Sequence, residues 1–217
     1  MTQLAPLPPV PDISEMDAIL RLQPGRAHEF CGAARRLLAI WIIAQAPKGT
    51  PVLWIRPRWS QDRLHPQGLG DWISPEGLIM LGAAREAEAL GCMEEALRSG
   101  AVAVAVVELP APAALTPLRR LHLAAESGLA RRRTGKRDAG LLALVLTPGD
   151  GGTPGVESRW SLTPCPSPGS DPAPYRGYPI QPHWILRRLR ARMAPQARWR
   201  VARAGDGRLQ TYPEQME

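Results

Sequence analysis

The chain has 217 residues, 44% of them apolar and 22% charged, and carries a formal net charge of +7. That length holds one domain with a sizeable core, and that balance excludes an intrinsically disordered chain. The longest apolar run, Leu37 to Ala44, is too short to span a bilayer. The opening "MTQLAPLPPVPDISEMD" is no secretory leader, and three scattered cysteines (Cys31, Cys92, Cys165) suit reduced thiols, so a cytoplasmic protein without membrane attachment is expected.

Residues 1–24 read as an N-terminal arm with a short helix from Ser14 to Leu22, stopped by Pro24-Gly25. Strand and helix then alternate. "RAHEF" is a first strand, and Gly32 to Ala46 is a helix apolar over most of its surface. After Pro47, Gly49 and Pro51, "VLWIR" (Val52 to Arg56) is a second strand, followed by a polar connection with one helical turn. "LIML" is a third strand. "REAEALGCMEEALRS" is a helix with Leu90, Met93 and Leu97 inside, Glu86, Glu94 and Glu95 outside, and Gly100 at its C-terminal cap. "AVAVAVVEL" has the continuous apolarity of a strand buried on both faces. The next helix takes Thr116 as N-cap, Pro117 at its first position, an inner face of Leu118, Leu121, His122 and Ala125, and an end at Gly128. A basic loop leads to "GLLALVL", another buried strand. This alternation predicts a doubly wound, mostly parallel α/β sheet flanked by helices over residues 25–163.

Beyond Thr147 the composition changes. "TPGDGGTPGVES" is a Gly/Pro loop and "VESRWSL" a candidate strand. Residues 164–183 hold seven prolines and read as irregular. In the segment 184–217, "RWRVARAGDGRLQTY" alternates around Gly-Asp-Gly as an antiparallel hairpin, whereas "WILRRLRARMA" fits helical and strand spacing alike.

The 27 cations are 25 arginines and two lysines, and they cluster. One group is Arg131, Arg132, Arg133, Lys136 and Arg137; the other includes Arg187, Arg188, Arg190, Arg192, Arg198 and Arg200. Both are candidate contacts for DNA phosphates or an acidic protein surface, against the alternative of a solvated loop or strand face. Trp160, Trp184 and Trp199 lie among the second group, where they serve either a small apolar patch or base stacking.

The turn between the first strand and its helix has the layout of a phosphate loop. Such loops need glycines that aim N–H groups at phosphates, a lysine for the β/γ oxygens and a hydroxyl for magnesium. Here Gly32, Ala33 and Ala34 form the turn, and Arg35, Arg36 and Leu37 stand where Gly-Lys-Ser/Thr is required. Glu108 ends a buried strand where a metal-binding acid belongs, but is expected to be a strand-end residue capped by amides. After the second strand Arg56 and Arg58 replace any carboxylate that could orient water. The site therefore reads as a relic, with Arg35 and Arg36 free for another partner, no catalytic residue and no cofactor. His28 and Cys31 lack a second ligand pair, so no metal is expected, and His122 reads as a core or boundary histidine.

The element order around "EEALRSGAVAVAVVEL" is similar to the ATPase core of the RecA recombinases. There a Ser-Gly-Ala-Val turn, matched by Ser99 to Val102, precedes the strand carrying the metal-binding acid, matched by Glu108; Arg58 stands at the catalytic glutamate's position. "LRRLRARMAPQARWRV" resembles that core's paired C-terminal strands, which resolves the ambiguous segment as strand. The stretches "GRAHEFCG", "WIRPRWS", "CMEEALRSGAV", "LTPLRRLHLAAESG", "LTPG" and "GVESRW" resemble the ImuA family over about residues 25–205. The resemblance implies a non-catalytic accessory protein of SOS-induced translesion synthesis. It would bind ImuB (an inactive Y-family polymerase paralogue) and an error-prone C-family polymerase, with RecA and DNA as further candidates, in the cytoplasm at the nucleoid. The other readings are a SulA-like division inhibitor and a weak RecA-like NTPase.

Overall fold

A computed structural model describes residues 14–47, 49–70, 72–73, 75–134, 140–166, 182–204 and 208–214. The element order is α1 (Ser14–Leu20), β1 (Ala27–Cys31), α2 (Arg35–Ala44), β2 (Val52–Pro57), α3 (Pro66–Gly70), β3 (Leu78–Ala83), α4 (Glu86–Ser99), β4 (Val104–Glu108), α5 (Leu115–Thr134), β5 (Leu142–Leu146), β6 (Ser158–Cys165), β7 (His183–Ala191), β8 (Ala197–Arg203) and β9 (Leu209–Glu214). A single turn of 3-10 helix, Pro75–Gly77, leads into β3.

All nine strands join one sheet in the order β3-β2-β4-β5-β1-β6-β7-β8-β9. Pairing is parallel from β3 through β6 and antiparallel from β6 through β9. This is the expected mostly parallel α/β sheet with antiparallel C-terminal strands, and "WILRRLRARMA" is strand. Residues 205–207, most of the proline-rich segment, and Lys136 and Arg137 lie outside the described residues.

The central strands β1, β4 and β5 are buried along nearly their whole length, because helices cover both sheet faces. One apolar layer gathers α1, α2 and the inward residues Trp54, Val106, Leu144, Trp160 and Leu186. The other gathers α4 and α5 against Ile55, Ala105, Val107, Ala143 and Val145. Alternate residues of each strand thus feed opposite cores. The N-terminal arm is tied to the far end of the sheet: Met16 and Leu20 are buried, and the Glu15 carboxylate accepts from the Thr211 N–H at 3.1 Å and its hydroxyl at 3.0 Å.

Gly100 adopts φ 67° and closes α4 as expected, its N–H donating to the Leu97 carbonyl at 3.1 Å. Gly128 corrects the expected end of α5, since the helix continues to Thr134. A Cβ there would overlap the Leu97 carbonyl oxygen of α4, so this glycine permits close helix packing rather than a stop. The helix also begins at Leu115, ahead of the expected Thr116 cap. Glu94, expected outside, is buried, with Arg98 and Arg120 on its carboxylate, the latter at 2.7 Å.

Candidate functional site

β1 delivers the chain into the turn Gly32-Ala33-Ala34, and α2 departs from it with Leu38, Ala39, Ile40, Trp41, Ile42 and Ile43 buried against the sheet. Gly32 has φ +85°, and a Cβ on it would stand 2.5 Å from the Leu162 carbonyl oxygen, so only glycine fits. Two of the turn's donors point inward to protein. Gly32 N–H donates to the Gly149 carbonyl at 2.8 Å, and Ala34 N–H donates to the Leu162 carbonyl at 2.9 Å. Arg35 folds back, its Nη1 donating to the Gly32 carbonyl at 3.2 Å.

Arg36 reaches across to β4. Its Nε and Nη2 donate to one carboxylate oxygen of Glu108 at 2.9 and 2.6 Å, and the Trp54 indole N–H donates to the other at 2.7 Å. Two expectations are corrected here. Arg36 is bound to Glu108 rather than free for a partner, and Glu108 is capped by a guanidinium and an indole rather than by amides. The reason is burial: a carboxylate at the end of a strand covered on both faces must be matched by charge and donors. Arg58 sits exposed after β2, held through its backbone N–H to the Ala83 carbonyl at 2.7 Å. Arg56 donates to the Ser60 carbonyl at 2.8 Å.

These residues do not fit a nucleotide with magnesium. The Gly32 and Ala34 N–H groups bond Gly149 and Leu162, Glu108 is held by Arg36, and Leu37 has no hydroxyl to offer. Among the described residues no group of three or more His, Cys, Asp and Glu side chains could hold a metal ion.

The loop that supplies Gly149 is anchored by Glu29, which sequence reasoning missed. This fully buried carboxylate on β1 accepts from Thr147 Oγ1 at 2.7 Å, Gly152 N–H at 3.0 Å, Thr153 N–H at 3.1 Å and Thr153 Oγ1 at 2.8 Å, and pairs with Arg159. The signal in the sequence was a glutamate inside an apolar strand: burial on both faces requires several partners, and a Gly/Thr-rich loop supplies them.

His28 and Cys31 have separate structural roles. The Gln23 carbonyl, which can only accept, lies 3.1 Å from His28 Nε2, so that nitrogen carries the proton and Nδ1 accepts from Ser158 Oγ at 2.7 Å. Burial pushes the His28 imidazole down to about 4. Burial pushes the Cys31 thiol up to about 11, and it donates to the Trp160 carbonyl at 3.3 Å. His122 is half-buried, as a boundary residue: Nδ1 accepts from Ala27 N–H at 3.3 Å and Nε2 donates to the Gly155 carbonyl at 3.1 Å.

The arginine clusters divide. Arg132 corrects its reading as a loop contact: it is buried on α5, and its Nη1 donates to the carbonyls of Gly100 at 2.9 Å and Val102 at 3.1 Å. Arg131 and Arg133 flank it, exposed on the same helix. Arg198 and Arg200 both pair with Glu214 of β9, at 2.7 and 2.8 Å, and Arg187 pairs with Asp150 at 2.6 Å. Arg192 lies 4.0 Å from Glu157, and Arg190 is exposed. Arg188 packs over the rings of Trp160 and Trp199, at 5.5 and 5.2 Å from their centroids. Trp160 and Trp184 are core residues. No helix among the described residues is long and apolar enough to cross a membrane.

Over 126 residues the chain is 39% identical to Protein ImuA of Caulobacter vibrioides, in strain NA1000 / CB15N and equally in strain ATCC 19089 / CIP 103742 / CB 15. The match takes in 55% of this chain and 48% of the relative, so the chain spans about half the length of the curated relatives it matches. Among solved structures, the RadB recombinase superposes with a TM-score of 0.54 at 14% identity, covering 88% of this chain and 94% of that one. SulA from Pseudomonas aeruginosa is more distant, at a TM-score of 0.43 and 20% identity over 57% of this chain. No family model matches. Over the matched stretch the chain is therefore similar to ImuA proteins, and it shares its fold with the RadB recombinase.

Proposed function

We propose that this protein is a non-catalytic RecA-like accessory factor of damage-induced translesion synthesis. It acts as a scaffold for an ImuB-type inactive polymerase paralogue and an error-prone C-family polymerase, at the nucleoid in the cytoplasm, with RecA as a further contact. The observation that carries this reading is the closure of the nucleotide position by the chain itself. Arg36 and Trp54 hold Glu108, and Gly149 and Leu162 hold the Gly32 and Ala34 N–H groups. A RecA-like core altered in this way retains its sheet and surfaces, while the Gly32 and Ala34 N–H groups and Glu108 are already taken up by the chain. The relationship to ImuA proteins supplies the damage-response setting.

Co-expression with the ImuB-type protein tests the reading. A stable complex is expected at micromolar concentrations, with no ATP hydrolysis above background for the chain alone. Separate elution of the two proteins, or hydrolysis abolished by Glu108→Gln, overturns it.

A further inference from the structure

Two clefts open at the end of the sheet opposite Gly32, where β1 and β6 begin and β7 ends. One, of about 510 Å³, is bordered by Arg26, Arg119, Arg190 and Leu123. The other, of about 500 Å³, is bordered by Arg21, Arg188, Trp160 and Trp199. Glu157 and Arg192 border both, so the clefts share a wall beneath the β7–β8 turn.

The charges here are not balanced internally. Glu126 pairs with Arg26, and Glu157 faces Arg192. Arg21, Arg119, Arg188 and Arg190 have no carboxylate partner among the described residues, unlike Arg36, Arg159 and Arg200 elsewhere. Arg188 is the most constrained. Its guanidinium lies over two indoles, themselves 5.8 Å apart, and among the described residues its one hydrogen bond runs from Nε to the Pro195 carbonyl at 2.7 Å. Burial, and then the neighbouring Arg21, lower its proton affinity. A guanidinium held in that environment, with its Nη donors bonded to none of the described residues, is preorganised for an anion.

The spread of unpaired arginines over two adjoining clefts suits a chain of negative charges rather than one ion. Leu123 and Met193 stand at the rims, 66% and 92% exposed, and offer apolar surface to flat groups between the charges. β7 is paired on both sides, by β6 and β8, so a peptide finds no strand edge to extend. Alternating anions and planar apolar groups are the chemistry of a single nucleic-acid strand.

We infer that the paired clefts beneath the β7–β8 turn, marked by Arg119, Arg188, Arg190 and Arg192, form a binding groove for single-stranded nucleic acid. The inference rests on the DNA-damage reading above and adds to it a nucleic-acid contact at this end of the sheet. Arg131 and Arg133 are not among the residues that border it.

The test uses the full chain and a labelled 20-nucleotide oligo(dT), with binding followed by anisotropy across a salt series. The variant Arg119→Glu/Arg190→Glu changes two exposed side chains without carboxylate partners, so the fold is preserved. It is expected to weaken binding at least tenfold and to reduce the log–log salt slope by about 1.4, at about 0.7 per phosphate contact on a single strand. Arg188→Ala should weaken binding as well; its melting curve separates lost contact from lost packing. Unchanged affinity and slope in Arg119→Glu/Arg190→Glu overturn the groove. So does displacement of the oligonucleotide by a 20-residue polyglutamate at equal charge, which would mark an acidic protein as the ligand. Co-elution of the same variant with the ImuB-type protein separates the two readings. An intact complex with unaltered oligonucleotide binding refutes the groove and leaves the accessory role standing.

Discussion

Glu108→Ala is the most informative single change, because it removes the acceptor for two donor side chains at once. The Glu108 side chain is 8% exposed and that of Arg36 is 25% exposed. Trp54 is fully buried, so its indole N–H would be left without a partner, at a cost of about 1–3 kcal/mol. Breaking a buried ion pair costs about 3–5 kcal/mol when the surviving charge stays dry. Arg36 can recover part of its hydration, which brings the expected total to about 3 kcal/mol. For a chain of this size each kcal/mol moves the melting midpoint by about 2–4 °C, so Tm should fall by about 6–12 °C. Glu108→Gln retains an oxygen for one donor and should cost only about 1–2 kcal/mol. The double variant Arg36→Met/Glu108→Leu replaces the pair by apolar groups and should recover most of the loss, a non-additivity expected of contacting residues. The assay is thermal and urea denaturation of each variant with and without 1 mM magnesium-ATP, an arbitrary excess of roughly a hundredfold over a 10 µM site. An active metal site predicts the opposite pattern. Wild-type stability that rises with magnesium-ATP, together with a Glu108→Ala variant that loses this rise but no intrinsic stability, refutes the reasoning.

Gly128→Ala should destabilise by about 3 kcal/mol or more, since the added methyl meets the Leu97 backbone carbonyl and α4 must move; an unchanged urea midpoint would show that the helices have room. Arg132→Ala should cost about 2 kcal/mol through the Gly100 and Val102 carbonyls, whereas Arg131→Ala and Arg133→Ala should leave Tm unaltered. Equal melting of all three variants would return Arg132 to the surface. His28 predicts an acid-labile fold. Its folded value, about 4, lies below the unfolded 6.5, so the unfolded chain binds the extra proton. The stability carried by neutral His28 is complete above pH 6.5 and is lost as pH falls towards 4, reaching a loss of about 2 kcal/mol by pH 5. His122, lowered chiefly by burial, acts in the same direction. Urea midpoints that do not fall between pH 7 and pH 5 would contradict this.

Hydrophobic periodicity and end signals were enough to place β1, β2, β4 and β5, helices α2 and α4, and the Gly100 cap, because each depends on residues close in sequence. The same local logic failed at Gly128. A glycine after an apolar helix face looks like a stop, and only the approach of Leu97, 31 positions earlier in the numbering, shows why the helix runs on. Glu94 failed likewise: one turn of helix sets its direction, but Arg120 on another helix decides whether burial is tolerable.

The sequence by itself determined the chemistry missing from the Gly32 turn, since no packing can turn Leu37 into a magnesium ligand or Arg58 into a base. It also determined the sheet's parallel core, through runs too apolar to face water. Tertiary structure alone decided where the charges went. Arg36 and Arg132 look in sequence like their exposed neighbours, yet one neutralises Glu108 and the other bonds two carbonyls, because sheet order brings partners 72 and 30 residues away into reach. Side-chain charge is a local property, but the desolvation that demands a partner belongs to the assembled core.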